Sequence, residues 1–293
     1  MKLPALILGG SFKKQQLLKS DIERHSRLNQ TDLNEKYFRP SKLPALNKRN
    51  LSYSIDEKDP LQVELSKKFM LTPRDTVINY FSILREAAHL SDDVAGGCGT
   101  VGMATLPYPT VYNFLTIEYQ KRVNYEIFFN SFQNIGHINL VKLKRVRNEE
   151  DKWEYFAEIE TIEGSLKGLT YFAYYYSFIT IVQENNVYKI DDLHFYGEDF
   201  LCAPYHGWSH DAEAAVDIKY GNWCKLVSRR YPTVQNGYVK NVFFKGTDGN
   251  DYLFIFFELT NGTDIEIAQY RRTLDGGWIE IKIDPEKCLE PVQ

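Results

Sequence analysis

Between Val187 and Cys224 the chain collects Asp192, His194 and Tyr196 on one extended run, then Cys202, His206, His210, Asp211 and Cys224. Thiolate and imidazole are the donors zinc takes in tetrahedral sites, so Cys202, His206, His210 and Cys224 make a four-ligand set in principle. The first three stand at four-residue intervals, a spacing that aligns side chains on a regular helix. Pro204 and Gly207 fall inside that interval and work against such a helix, and the set follows no standard finger pattern. The competing reading makes His206 and His210 parts of a connector, hydrogen-bonded to its carbonyls beside Tyr205 and Trp208. The expectation is a chain without a cofactor, zinc being the one alternative.

A second chemistry needs no metal. Asp192 and His194 stand two apart on one strand face, which in this reading also carries Tyr188, Ile190 and Tyr196. With Tyr174 and Tyr176 from the neighbouring strand they would line an aromatic pocket, where burial and a nearby charge bring an ionisable group towards neutrality. The catalytic candidates are thus Asp192 and His194, and the pocket candidates Tyr174, Tyr176, Tyr188 and Tyr196. The opposing reading turns this face outward, so that Asp192 merely solvates an edge. Asp191 occupies the other face, and the sequence does not choose. Gly96-Gly97-Cys98-Gly99 sets a cysteine among backbone amides, with His89 upstream, but no strand leads into it as a nucleophile elbow requires.

The four cysteines, Cys98, Cys202, Cys224 and Cys288, lack the paired spacing of a zinc ribbon. If they are oxidised, Cys202 with Cys224 is the expected pair, and an oxidising compartment such as the cell envelope follows. The opening Met1 to Gly10 is a short apolar run interrupted by Pro4, read as a tail, so a cytoplasmic setting is the default expectation.

The elements that must position these groups are legible in the pattern. Ser11 to Lys68 is charged and broken by Pro40, Pro44 and Pro60, which reads as an arm with an amphipathic helix over Ser11 to Leu33. Thr72-Pro73-Arg74-Asp75 is a helix start, and Val77, Ile78, Phe81, Leu84 and Ala88 give a stripe running to about His89. A second helix is expected from about Thr110 to Asn130. Ile138 to Val146 and Trp153 to Glu163 alternate, so each should have one wet face. Thr170 to Val182 is apolar on both faces and must be central. Val187 to Gly197 closes the sheet after the Glu184-Asn185-Asn186 turn.

Helices followed by an antiparallel sheet with a very aromatic central strand resemble the nuclear-transport-factor-like or cystatin-like cone, in which a bent sheet wraps a long helix. The resemblance spans about Thr72 to Phe200 and is carried by element order and the Tyr171 to Val182 strand. It implies relatives among small-molecule isomerases and dehydratases, dimerisation modules, and assembly domains of bacterial secretion and conjugation machines. A homodimer through the sheet is part of that implication.

Beyond it, Asp211 to Arg230 reads as a helix, with Val216, Tyr220, Trp223 and Val227 on one face. Strands Tyr238 to Lys245, Tyr252 to Thr260, Asp264 to Arg272 and Trp278 to Ile283 follow, joined by Asp248-Gly249, Asn261-Gly262 and Gly276-Gly277 turns. Lys225, Arg229 and Arg230 read as a helix-end cluster on the local dipole. The expected fold is therefore α+β: an arm over 1–70, a cone-like domain over 71–200 and a small α+β domain over 201–293.

With 35 basic and 39 acidic residues the formal charge is −4, leaving no basic field for nucleic acid. No run approaches the roughly 20 apolar residues that span a bilayer. The function expected is a non-catalytic binding or assembly module with a protein partner or a homodimer. A small-molecule enzyme or ligand binder using the aromatic cone is the alternative. A deep pocket holding Asp192 and His194 would favour the enzyme, and a filled interior with an exposed apolar patch the module.

Overall fold

The computed structural model describes residues 43–48, 51, 59, 62–63, 65–90, 105–149, 152–164, 170–198 and 207–289. The chain is α+β with two antiparallel sheets, one in each of two compact units, Met1–Asp199 and Phe200–Gln293. The expected helix over Ser11 to Leu33 lies outside the described residues, as do Cys98, Cys202 and His206.

In the first unit helix α1, Pro73–Leu84, begins as its sequence demands: Thr72 Oγ1 accepts the Asp75 N–H at 3.0 Å, with Pro73 in the first turn. It ends at Leu84, earlier than expected. Thr76 to Leu84 are buried without a break, polar residues included, so α1 is enclosed rather than amphipathic. The polar residues have partners: Asn79 Nδ2 donates to Phe69 C=O at 2.7 Å and Thr76 Oγ1 to Tyr188 C=O at 3.0 Å.

The expected second helix is three short ones, α2 Pro107–Tyr112, α3 Ile117–Arg122 and α4 Tyr125–Asn130. Two side chains make the breaks. Thr116 Oγ1 accepts the Tyr119 N–H and Asn124 Oδ1 the Ile127 N–H, each starting a new helix where a continuous one would have run on. The first break is also useful to the sheet, because Leu115 bridges to Ile190 along its edge.

Strands β1 Ile135–Glu149, β2 Lys152–Gly164, β3 Thr170–Glu184 and β4 Val187–Gly197 form an antiparallel meander in sequence order. Asn185 and Asn186 both have positive φ, 53° and 64°, the backbone a tight hairpin needs. One face of the sheet meets the helices through Ile138, Leu140, Ala157, Ile159, Ala173, Tyr175, Ile179, Ile190 and Phe195, all at most 1% exposed. β2 corrects the expectation of one wet face: Phe156 and Glu158, on its other side, are also fully buried. Part of the arm is pinned at the β1 edge, where Leu46 N–H donates to Leu140 C=O and Asn47 bridges Phe81 C=O and Leu140 N–H.

In the second unit α5, Ala212–Ala215, continues as a π-helix over Val216–Trp223. The chain then reverses through Lys225, at φ 54°, so Val227 belongs to a strand and not to the helix. Strands β5 Val227–Arg230, β6 Val234–Asn236, β7 Val239–Gly246, β8 Asp251–Glu258, β9 Asp264–Arg272 and β10 Trp278–Ile281 make a six-stranded sheet in place of the expected four. Val242, Phe244, Tyr252, Phe254 and Phe256 pack on Ala212, Val216 and Tyr220. The basic cluster is corrected too: Arg230 is ion-paired with Glu213 and Asp217 on the helix side rather than set against a helix end, and Arg229 lies over the Tyr231 ring.

Cys224 is bonded to Cys288, not to Cys202. The pair joins the end of the π-helix to the 3₁₀ turn Glu286–Leu289, two segments that pack together although they are far apart in sequence.

Candidate functional site

The outer face of the first sheet, turned away from the helices, carries a set of cross-strand rows fixed by the register. Lys142 pairs with Glu158, Glu158 with Tyr176 and Tyr176 with Tyr196. Asn139 pairs with Glu160 and Glu160 with Tyr174, while Phe156, Phe178 and His194 form a third row. Aligned side chains on one face of neighbouring strands interact directly.

The rows divide into a polar part and an aromatic part. Lys142 Nζ lies 2.5 Å from Glu158 Oε2, the side chains 4% and 0% exposed. Glu160 accepts from Asn139 Nδ2 at 3.2 Å and from Tyr174 Oη at 3.0 Å, and Asn139 Oδ1 lies 3.2 Å from His137 Nε2. Burial, then the Arg85 charge, hold the His137 imidazole below its ordinary pKa, so it is neutral at neutral pH. Burial and the Glu160 charge push the Tyr174 phenol up, which keeps it a donor. On the aromatic side Tyr176 stacks on Tyr196 at 5.2 Å and on Phe156 at 6.3 Å, and His194 meets the Tyr196 edge at 4.7 Å. Tyr196 is 44% exposed, and His194 and Asp192 are exposed with it.

Three of the expected pocket residues, Tyr174, Tyr176 and Tyr196, thus share a face, but Tyr188 does not. A bulge between Thr180 and Ile181 on β3 makes Asp191 the extra residue of β4, so Tyr188 and Ile190 turn to the helix side. Tyr188 packs edge-on against Trp153 at 4.9 Å. Asp192 and His194 share a face with Tyr196, as expected, but their end of that face is open to solvent rather than enclosed. Arg122 lies 3.9 Å from Asp192, a loose surface pair.

Of the four proposed zinc ligands, Cys202 and His206 lie outside the described residues. Cys224 is in a disulfide and cannot offer a thiolate, and His210 Nδ1 accepts the Gly207 N–H at 3.0 Å. No group of three or more His, Cys, Asp or Glu among the described residues is arranged to hold a metal ion. Nor is any helix among them long and apolar enough to cross a membrane.

The helix side holds one group the sequence reading missed. Glu163 is fully buried, and its carboxyl accepts from Tyr175 Oη at 2.6 Å, Thr161 Oγ1 at 2.7 Å and Tyr171 Oη at 3.2 Å. Burial raises its pKa, against the pull of these donors. The signal was available: Glu163 continues the Tyr155, Ala157, Ile159, Thr161 phase of β2, so an acid stands where the pattern calls for an apolar residue.

Comparison with known proteins adds no relative: no protein-family model, no curated protein and no solved structure matches the chain. The functional reading rests on geometry alone.

Proposed function

We propose that the chain is a non-catalytic binding or assembly module with a cone-like, nuclear-transport-factor-like first unit. Its interaction surface is the exposed end of the first sheet's outer face, around Tyr196, His194 and Asp192, and its partner is another protein or a second copy of the chain. The observation that carries this reading is the stacked row Phe156, Tyr176, Tyr196, buried at one end and open at the other. Interfaces are enriched in such tyrosines, which present a large apolar surface with a polar tip at low entropic cost. The helix side supports it by contrast, since that side is filled with side chains and the catalytic candidates Asp192 and His194 stand outside it. A role in an envelope or conjugation-type assembly agrees with a disulfide-bonded second unit.

Sedimentation velocity across a wide concentration range tests this. Self-association that is abolished by Tyr196→Arg, with the circular dichroism melt unchanged, is the expected result. Association that survives Tyr196→Arg and Tyr176→Ser together would remove this face from the argument. A chain that stays monomeric leaves a protein partner of a different kind, to be sought with the same variants as controls.

A further inference from the structure

One cleft of the first unit lies away from the outer sheet face, and its shape and chemistry suit a ligand. It has a volume of about 460 Å³ and is built from the three short helices together with Asp59. Ligand pockets run from roughly 300 to 1,000 Å³, so the space fits one ring-sized unit with room to spare.

Its walls are fixed. Tyr112 of α2 donates its hydroxyl to Val123 C=O at 2.9 Å, and Gln120 Nε2 donates to Tyr112 C=O at 2.9 Å. Tyr125 stands at 76° to Tyr112, ring centres 5.4 Å apart, and is backed by Phe129 at 6.0 Å. Ile117, 50% exposed, closes the apolar part. Rigid aromatic walls of this kind cost little ordering when a ligand arrives.

The polar groups at the rim are of mixed kind. Asn124 spends its Oδ1 on the α4 cap, accepting the Ile127 N–H at 2.9 Å, which leaves its Nδ2 to donate. Gln120 keeps its amide oxygen as an acceptor while Nε2 is engaged. Burial raises the Tyr125 hydroxyl to about 12, so it stays protonated and able to donate. The lining includes one cation, Lys121, already paired with Glu118 at 2.6 Å, and one carboxylate, Asp59.

A phosphate or other strong anion would meet a lysine already paired with Glu118 and a second carboxylate at Asp59, and a wholly apolar ligand would strip water from the rim amides without replacing its bonds. The complementary ligand is uncharged, ring-sized, apolar on its faces and ringed by hydroxyls. We infer that this cleft binds a neutral sugar residue, as a free saccharide or as one unit of a glycan chain. A ring C–H face lies on Tyr125, and hydroxyls meet Asn124, Gln120 and the Tyr125 phenol.

Saturation-transfer NMR on the full chain with short gluco-, xylo- and N-acetylglucosamine oligosaccharides tests the proposal, with titration for affinity. The expected result is millimolar or tighter binding of one class, weakened about tenfold or more by Tyr125→Ala. Asn124→Ser, which keeps the cap acceptor and removes the amide donor, should weaken it roughly threefold to tenfold. Tyr196→Arg on the outer sheet face should leave it unchanged, which separates this site from the proposed interaction surface. If Tyr125→Ala fails to fold by circular dichroism, Asn124→Ser alone decides. The proposal is overturned if no saccharide gives transfer, or if transfer is indifferent to the folded variants. It is likewise overturned if a phenylalanine- or tryptophan-bearing peptide binds there and the saccharides do not, the cleft then being a peptide site.

Discussion

Glu163 shows how one residue can be out of keeping with its surroundings and yet be fully accommodated. Three hydroxyls, from Thr161, Tyr171 and Tyr175, converge on its carboxyl, and a hydroxyl can donate to a carboxylate or accept from a carboxylic acid. Burial raises the folded-state pKa above the unfolded one, so the folded chain holds this proton more tightly. Its contribution to stability is fully present below the unfolded carboxyl pKa and is lost as pH rises through the folded value. Urea unfolding of wild type and Glu163→Gln from acid to neutral pH should therefore show the wild type losing ground to the variant as pH increases. A difference that stays constant with pH would mean that the carboxyl does not hold its proton. At this scale the sequence was readable where phase decides and unreadable where a bulge intervenes. Glu163 stands in the core phase of β2 for anyone counting by twos, whereas the extra residue at Asp191 has no compositional mark and silently sends Tyr188 to the opposite face.

Among the elements, β1 and β2 are joined by more than their backbone ladder. Lys142 and Glu158 face each other at 2.5 Å with almost no exposure, and each charge was taken out of water at a cost of several kcal/mol. Removing one partner is the damaging change. Lys142→Met should destabilise the first unit by roughly 3–5 kcal/mol, and Lys142→Met with Glu158→Leu should recover most of that, as read by denaturant midpoint at constant slope. A single variant as stable as wild type would show the pair to be dispensable. The four strands of this sheet were legible to within three residues at every end because long alternating runs bounded by turn residues have few alternatives. The helices were less so. Thr116 and Asn124 are each followed two residues later by a glutamate, a start signal that a 3.6-residue stripe passes over, and local capping won over periodicity. β5 and β6 were missed for a different reason: with four and three residues and little burial, they carry no pattern to find.

Among the described residues the hydrophobic cores of the two units are separate clusters. Calorimetry should resolve two transitions, of which only the second unit's responds to reductant. Opening the Cys224–Cys288 bond, with a sequence separation of 64, should remove about 4 kcal/mol from that unit. A reductant shift in both transitions, or in neither, would contradict the assignment. That the chain is α+β with antiparallel strands was readable from alternation and turn spacing. The disulfide partner was not, because proximity in sequence favoured Cys202 while proximity in space depends on where β10 delivers the chain. All six strands of the second sheet lie between the two bonded cysteines. A ribosome must therefore have made every strand of that sheet before Cys288 exists to react. The staple cannot guide the sheet's assembly during synthesis, and a chain that misfolds before Cys288 is made gets no help from it until then.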